Sequence, residues 1–303
     1  MSALLTGIGT RIAERWLQTV VLAGLLWVAT AVVAVRLGHS HPFDVGRLSA
    51  WLDQVARERA GRSASVVLLT VAGALLAAGA AGLATGALGG AFQRLWGASG
   101  AGPPGSWIQR WRLDRRRRRD ERTRRAVARS VTHRGRGGRL LLAHAGRAAD
   151  RRRRTPRPTG PTRIGDTFLG VASRVERRYG LELERAWPRL WALLPEAPRA
   201  DVSGARQAYD AAARLAGWAL LYTALAVVWW PGAAIGTSVL ATAVVRARDA
   251  AELLATTVES AVDLHLTDLA ERLGVRADED ASALARGRAI ARHLAERDGP
   301  GDP

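Results

Sequence analysis

Apolar and polar positions are strongly segregated along the 303-residue chain, and the apolar ones gather into three long runs. The first, Leu17 to Val35, would be about 28 Å long as a helix, against a hydrocarbon core of roughly 30 Å. Trp16 stands at its entrance as an interfacial ring would. This run exceeds the apolar core of a secretory leader, so it reads as a first span and not as a cleaved signal. The second run, Val66 to Phe92, is long enough to cross with some tilt. The third, Leu215 to Val245, is broken by Trp229-Trp230-Pro231-Gly232. As one helix it would reach about 46 Å, so two short antiparallel arms turning at Pro231-Gly232 fit better, as a spanning pair or a re-entrant hairpin.

Outside these runs the periodicity is amphipathic. Leu254, Val258, Val262, Leu266, Leu269 and Leu273 follow spacings of four and three, predicting a helix that continues from Val245 to Leu273. It carries Asp249, Glu252, Glu259, Asp263, Asp268 and Glu271. Either its stripe packs on residues 164–194 with the acids solvated, or the acids pair with basic segments elsewhere. Trp187, Leu190, Trp191 and Leu194 also share a helical face, with Pro188 in a first turn and Pro195 ending the segment. A last short helix is predicted over Ala281 to Glu296, and Leu37 to Arg62 reads as a charged connection.

Charge changes the picture most. All 45 basic residues are arginine, and the formal net charge is +18. Residues 110–163 hold twenty-one arginines against four carboxylates, so nearly the whole excess sits in one block. Such a block does not cross a bilayer, and basic loops stay in the cytoplasm. Arg115, Arg116, Arg117, Arg118 and Arg119, with Arg151, Arg152, Arg153 and Arg154, are the candidate contacts for anionic lipid headgroups or a protein partner. Residues 112–163 contain no Trp, Tyr or Phe for base stacking, which disfavours specific nucleic-acid binding. Just upstream, Trp107 and Trp111 alternate with Arg110 and Arg112 in an interfacial pattern.

The expected fold class is therefore all-α, an integral membrane protein with about four transmembrane helices. It carries a basic, partly disordered cytoplasmic insert and amphipathic cytoplasmic helices. Residues 1–96 form an N-terminal transmembrane pair, 97–163 the arginine-rich linker, 164–214 a membrane-proximal helical module, 215–245 the hairpin, and 246–303 the cytoplasmic helices and tail. Both termini are placed in the cytoplasm. Absent lysine and abundant alanine and glycine point to a GC-rich bacterial genome, hence to a bacterial inner membrane.

Candidate chemistry is sparse. The chain has no cysteine, which excludes disulfides and thiolate sites. His39, His41 and Asp44 are weak metal candidates, lacking further ligands nearby, so no metal and no cofactor is assigned. No nucleophile elbow, phosphate loop or zinc-protease motif occurs. Tyr222 is the one ionisable residue inside the four proposed spans, which disfavours a coupled transporter. Gly82, Gly86 and Gly90, following Ala78 every four residues, predict close helix packing within the chain or in a homo-oligomer.

Pro161-Thr162-Arg163-Ile164-Gly165-Asp166, then Arg178-Tyr179-Gly180-Leu181-Glu182, then Trp187-Pro188-Arg189-Leu190 form an ordered series. The series resembles a widespread group of uncharacterised bacterial, actinobacterial-like, multipass membrane proteins. These carry Pro-Thr-Arg-x-Gly-Asn, Arg-Tyr-Gly-x-Asp and Trp-Pro-Arg-Leu elements ahead of a membrane hairpin. The likeness covers roughly residues 161–275, with a weaker echo around Phe92 to Trp111. Asp166 and Glu182 depart from the pattern. The resemblance implies a multipass topology and carries no activity. The chain thus reads as a membrane-anchored scaffold or adaptor, with an oligomeric small channel or transporter as the alternative. A membrane-bound enzyme with its site near residues 162–179 is the second alternative.

Overall fold

The computed structural model describes residues 21–59, 63–97, 106–107, 110–115, 117–118, 121–122, 125, 162–275 and 282–298. Among them every regular element is a helix, as expected for an all-α chain. In order these are α1 (Leu22–Leu37), α2 (Val45–Arg59), α3 (Ala64–Gly97), α4 (Arg163–Tyr179), α5 (Leu183–Leu193), α6 (Glu196–Ala224), α7 (Pro231–Arg272) and α8 (Ala283–Asp298). The chain divides into two compact units. One comprises Met1–Gln93 with Gln207–Ala247, the other Arg94–Arg206 with Arg248–Pro303.

In the first unit, helices approach through small residues. A Cβ on Gly24 of α1 would overlap the Ala78 carbonyl of α3. One on Gly217 of α6 would lie 2.6 Å from the Thr85 oxygen of α3, and one on Gly89 would meet the Arg214 backbone at 3.2 Å. Gly236 of α7 likewise faces the Ala219 carbonyl and Thr223 of α6. Backbones this close gain dispersion and carbonyl contacts that larger side chains would prevent. The buried face of α3 is Ala78, Ala81, Gly82, Thr85 and Gly89. Gly82 lies on it as expected, whereas added Cβ atoms at Gly86 and Gly90 would meet nothing within 4 Å. The reason is geometric: a strict four-residue repeat advances about 40° per step, while alternating four and three holds one face.

The predicted break at Trp229-Trp230-Pro231-Gly232 is present. Helix α6 ends in a 3-10 turn, Leu225–Val227, and α7 opens on Pro231, where a missing N–H costs no intrahelical bond. This turn is tied to the connection after α1. The His39 ring donates from Nδ1 to the Val228 carbonyl, and Trp229 Nε1 donates to the Pro42 carbonyl at 3.0 Å. Ala34, Leu37 and Trp229 form a small core there, flanked by Leu48 and Ile235. The segment expected to be only a connection contains α2, whose Val45, Leu48, Leu52 and Val55 recur at helical spacing among charged residues. Among the described residues, α3 is the one helix long and apolar enough to cross a membrane, and α1 is a shorter apolar helix.

The second unit has a conventional hydrophobic core. Val175, Leu181, Leu190, Val262, Leu269, Ile290 and Leu294 are all essentially inaccessible and belong to one cluster drawn from α4, α5, α7, α8 and the connection between α4 and α5. The predicted stripe of α7 thus packs on residues 164–194. Two of its acids reach arginines of α4 spaced to match: Arg174 donates to both oxygens of Glu259, at 2.9–3.2 Å, and Arg178 lies 3.5 Å from Asp263. Both pairs are substantially exposed and contribute less than the apolar stripe beneath them. Pro188 falls in the second turn of α5, not the first, because the helix already begins at Leu183. Its missing N–H leaves a carbonyl one turn earlier without its usual donor.

Candidate functional site

The three motif elements fall at three joints of the second unit. At the start of α4, Thr162 adopts an extended conformation, and its hydroxyl oxygen accepts the Gly165 N–H at 2.9 Å. The same hydroxyl donates to the Trp96 carbonyl at the end of α3. One side chain therefore caps an orphan N–H and ties two helix ends together. Asp166 stands in the first turn, where a carboxylate complements the helix dipole, and accepts Arg112 Nη2 at 2.7 Å. The Arg112 and Asp166 side chains are only 18% and 19% exposed. Asp166 thus serves as an ion-pair acceptor, a role an asparagine would fill less strongly.

Removing either residue takes a 2.7 Å ion pair from the other, largely buried, charge. Arg112→Ala is expected to lower stability by about 1–3 kcal/mol, read as a thermal unfolding shift. The swapped pair, Arg112→Asp with Asp166→Arg, is expected to recover part of that loss. An Arg112→Ala protein that unfolds at the same temperature as the parent would show that the pair contributes nothing.

At the other end of α4, Gly180 terminates the helix in a left-handed conformation (φ 64°), its N–H donating to the Glu176 carbonyl at 2.7 Å. Tyr179 is buried, and the Arg178 guanidinium lies 5.3 Å from its ring centroid. Helix α8 seats against this turn so closely that a Cβ on Gly287 would overlap the Tyr179 carbonyl oxygen. Beside it, a cleft of about 220 Å³ is lined by Glu176, Leu181, Glu182, Arg185, Ala291 and Leu294, with Arg185 and Glu182 paired at 2.9 Å. Thr162 and Asp166 lie at one end of α4 and Arg178 and Tyr179 at the other, about 20 Å apart along the axis. The polar residues 162–179 therefore do not converge on one point. Arg163 is exposed, and Pro161 lies outside the described residues.

The third element sits in α5. Trp187 and Trp191 pack partly buried against the core, their ring centroids 5.9 Å apart, and Leu190 and Leu194 are buried beneath them. Arg189 donates to the Arg185 carbonyl at 2.9 Å. Arg199, which sequence reasoning passed over, lies 5.8 Å from the Trp191 ring centroid. Its Nη2 also donates to the Leu194 carbonyl at 2.9 Å and to Trp191 and Ala192, closing the end of α5. Only its position shortly after a tryptophan-bearing helix could have signalled this.

Of the basic candidates, Arg115, Arg117 and Arg118 are described and exposed, with Arg115 lying 5.1 Å from the centroid of the exposed Trp111 ring. Arg116, Arg119 and Arg151, Arg152, Arg153 and Arg154 lie outside the described residues. His39, His41 and Asp44 are directed to separate tasks. His39 holds the Val228 carbonyl, His41 Nδ1 accepts from Arg47 at 3.3 Å, and Asp44 Oδ1 accepts the Arg47 N–H at 2.9 Å. Among the described residues no three histidine or carboxylate side chains are grouped as a metal would need.

Comparison with protein-family models, with curated proteins and with solved structures gives no match. Among the described residues the regular structure is all-helical, and one helix is long and apolar enough to cross a membrane.

Proposed function

We propose that this is a four-span bacterial inner-membrane scaffold or adaptor with both termini and the arginine-rich segment in the cytoplasm. Its basic face engages anionic headgroups or a protein partner. The observation that carries the reading is α3: only 17% of its most apolar window is buried, and Val66, Val67, Leu68, Leu69, Leu75 and Leu76 are exposed. A core helix of a soluble domain would be covered on most sides, and this helix is internal to the chain, unlike a leader. Bilayer hydrocarbon is the solvent such a surface requires.

Further support comes from how the apolar stretches group. All three runs fall chiefly in the first unit. Helices there meet at glycine and alanine, the packing favoured where lipid removes the hydrophobic drive between helices. The turn before α7 bonds to the connection after α1, which favours a hairpin reaching the same side as that connection over a re-entrant one. Motif order likewise supports kinship with the multipass group that the sequence resembles. The channel alternative draws on the glycine face at Gly79 and Gly86, where an added Cβ would meet no other part of the protein within 4 Å, which would suit self-association.

Because the chain lacks cysteine, single cysteines at Ser40, Ser130, Gly232 and Ser282 report topology directly. In intact cells, an impermeant thiol reagent is expected to label Ser40 and Gly232 only. Labelling at Ser130 or Ser282 would overturn the four-span arrangement. Substrate-selective flux in reconstituted vesicles would favour the channel over the scaffold.

A further inference from the structure

We infer that α2 lies in the bilayer interface on the side of the Ser40 connection, its apolar edge entering the border between headgroups and acyl chains. This rests on the membrane reading above and assigns a surface that reading does not use.

Over residues 45–57 helix α2 is two-sided, and Arg59 at its end falls on the apolar side by spacing. Val45, Leu48, Trp51, Leu52 and Val55 occupy one side, while Arg47, Asp53, Gln54 and Arg57 occupy the other. The described residues cover only part of the apolar side. Leu48 packs on the Ala34–Leu37–Trp229 core, and Trp51 lies under the Arg36 guanidinium at 4.9 Å from its centroid. Along the adjoining edge Val45 is 75% exposed and Leu52 51%. Phe43, 68% exposed, continues that edge and meets the exposed Trp230 edge-on at 5.7 Å. Val227, Val228 and Val35 are exposed as well.

Continuity decides the occupant. Val32 and Val35 of α1 belong to the apolar surface that the membrane reading gives to lipid, and α2 follows α1 after one short turn. The paired ring Trp230, next to Trp229 whose N–H is satisfied by Pro42, matches the interfacial preference of tryptophan. The charges of α2 nearly balance, with Arg47, Arg57 and Arg59 against Asp53 and Glu58, so insertion is driven by apolar area and not by headgroup charge.

The test uses the full chain, reconstituted in phosphatidylcholine vesicles with and without phosphatidylglycerol. Single-cysteine spin labels are placed at Val45, Leu52, Gln54 and, on α3, Leu76. Accessibility is compared between oxygen, which partitions into lipid, and a water-soluble nickel chelate. Val45 and Leu52 are expected to favour oxygen, Gln54 to favour nickel, and the pattern to be alike in both lipids. Nickel-accessible labels at Val45 and Leu52, with an oxygen-accessible Leu76, would overturn the assignment and leave the membrane reading intact. Nickel access at Leu76 too would overturn both. Labels at Val45 and Leu52 shielded from both probes would mean that protein, such as a second copy of this chain, covers the edge, and would likewise overturn it.

Discussion

Truncating Leu190 to alanine is expected to destabilise the second unit by about 2–5 kcal/mol, the range for deleting a buried leucine side chain where neighbours collapse only in part. Leu190 is 1% exposed and sits where α5 meets the core formed by α4, α7 and α8. Its neighbours Leu181, Val262 and Leu269 are equally enclosed, so little rearrangement can fill the void. The measurement is thermal unfolding followed by circular dichroism and limited proteolysis. Leu264, 73% exposed on α7, supplies the comparison: Leu264→Ala is expected to change stability by less than about 0.5 kcal/mol. Equal effects at the two positions would mean that this core does not hold the unit together.

The second large effect is expected in the other unit. A methyl group at Gly217 would stand 2.6 Å from the Thr85 carbonyl oxygen and 3.1 Å from its Cα, both backbone atoms that no rotamer change can move. Gly217→Ala should therefore push α3 and α6 apart at a cost of about 1–3 kcal/mol, and Gly217→Leu more. Gly86→Ala is the opposite case. No atom lies within 4 Å of the new methyl, and replacing helical glycine with alanine favours the helix by up to about 1 kcal/mol. Unfolding in increasing sodium dodecyl sulfate, read by circular dichroism, separates the two. A Gly86→Ala protein less stable than Gly217→Ala would place the tight interface on the wrong face of α3.

The all-helical class, the break at Pro231 and the stripe from Leu254 to Leu269 could be read in advance because each is written in local spacing. Helix α2 is masked in the sequence by the frequent charges Arg47, Asp53, Arg57 and Glu58, which interrupt the apolar set at 45, 48, 52 and 55. The glycine pattern is plain in the sequence, but a four-residue repeat drifts around a helix, so Gly89 makes the close approach and Gly86 does not. The joints were the least accessible part. Thr162 and Trp96 are 66 residues apart, and Arg112 and Asp166 are 54 apart. Within the motifs, sequence pointed to Thr162, Asp166 and Tyr179, but their separate structural tasks depend on partners that only folding supplies.

Those two long-range ties have a consequence for how the chain can vary. Among the described residues, Arg112 is held to Asp166 and Trp96 to Thr162, so the chain is pinned on both sides of residues 113–161 by one clasp of two ties. Once the clasp is closed, the length between its jaws matters little, since each doubling of a loop adds only about 0.6 kcal/mol of closure entropy. A change in the number of residues, and so of arginines, between the two ties is expected to leave the Thr162 cap and the Arg112–Asp166 pair in place.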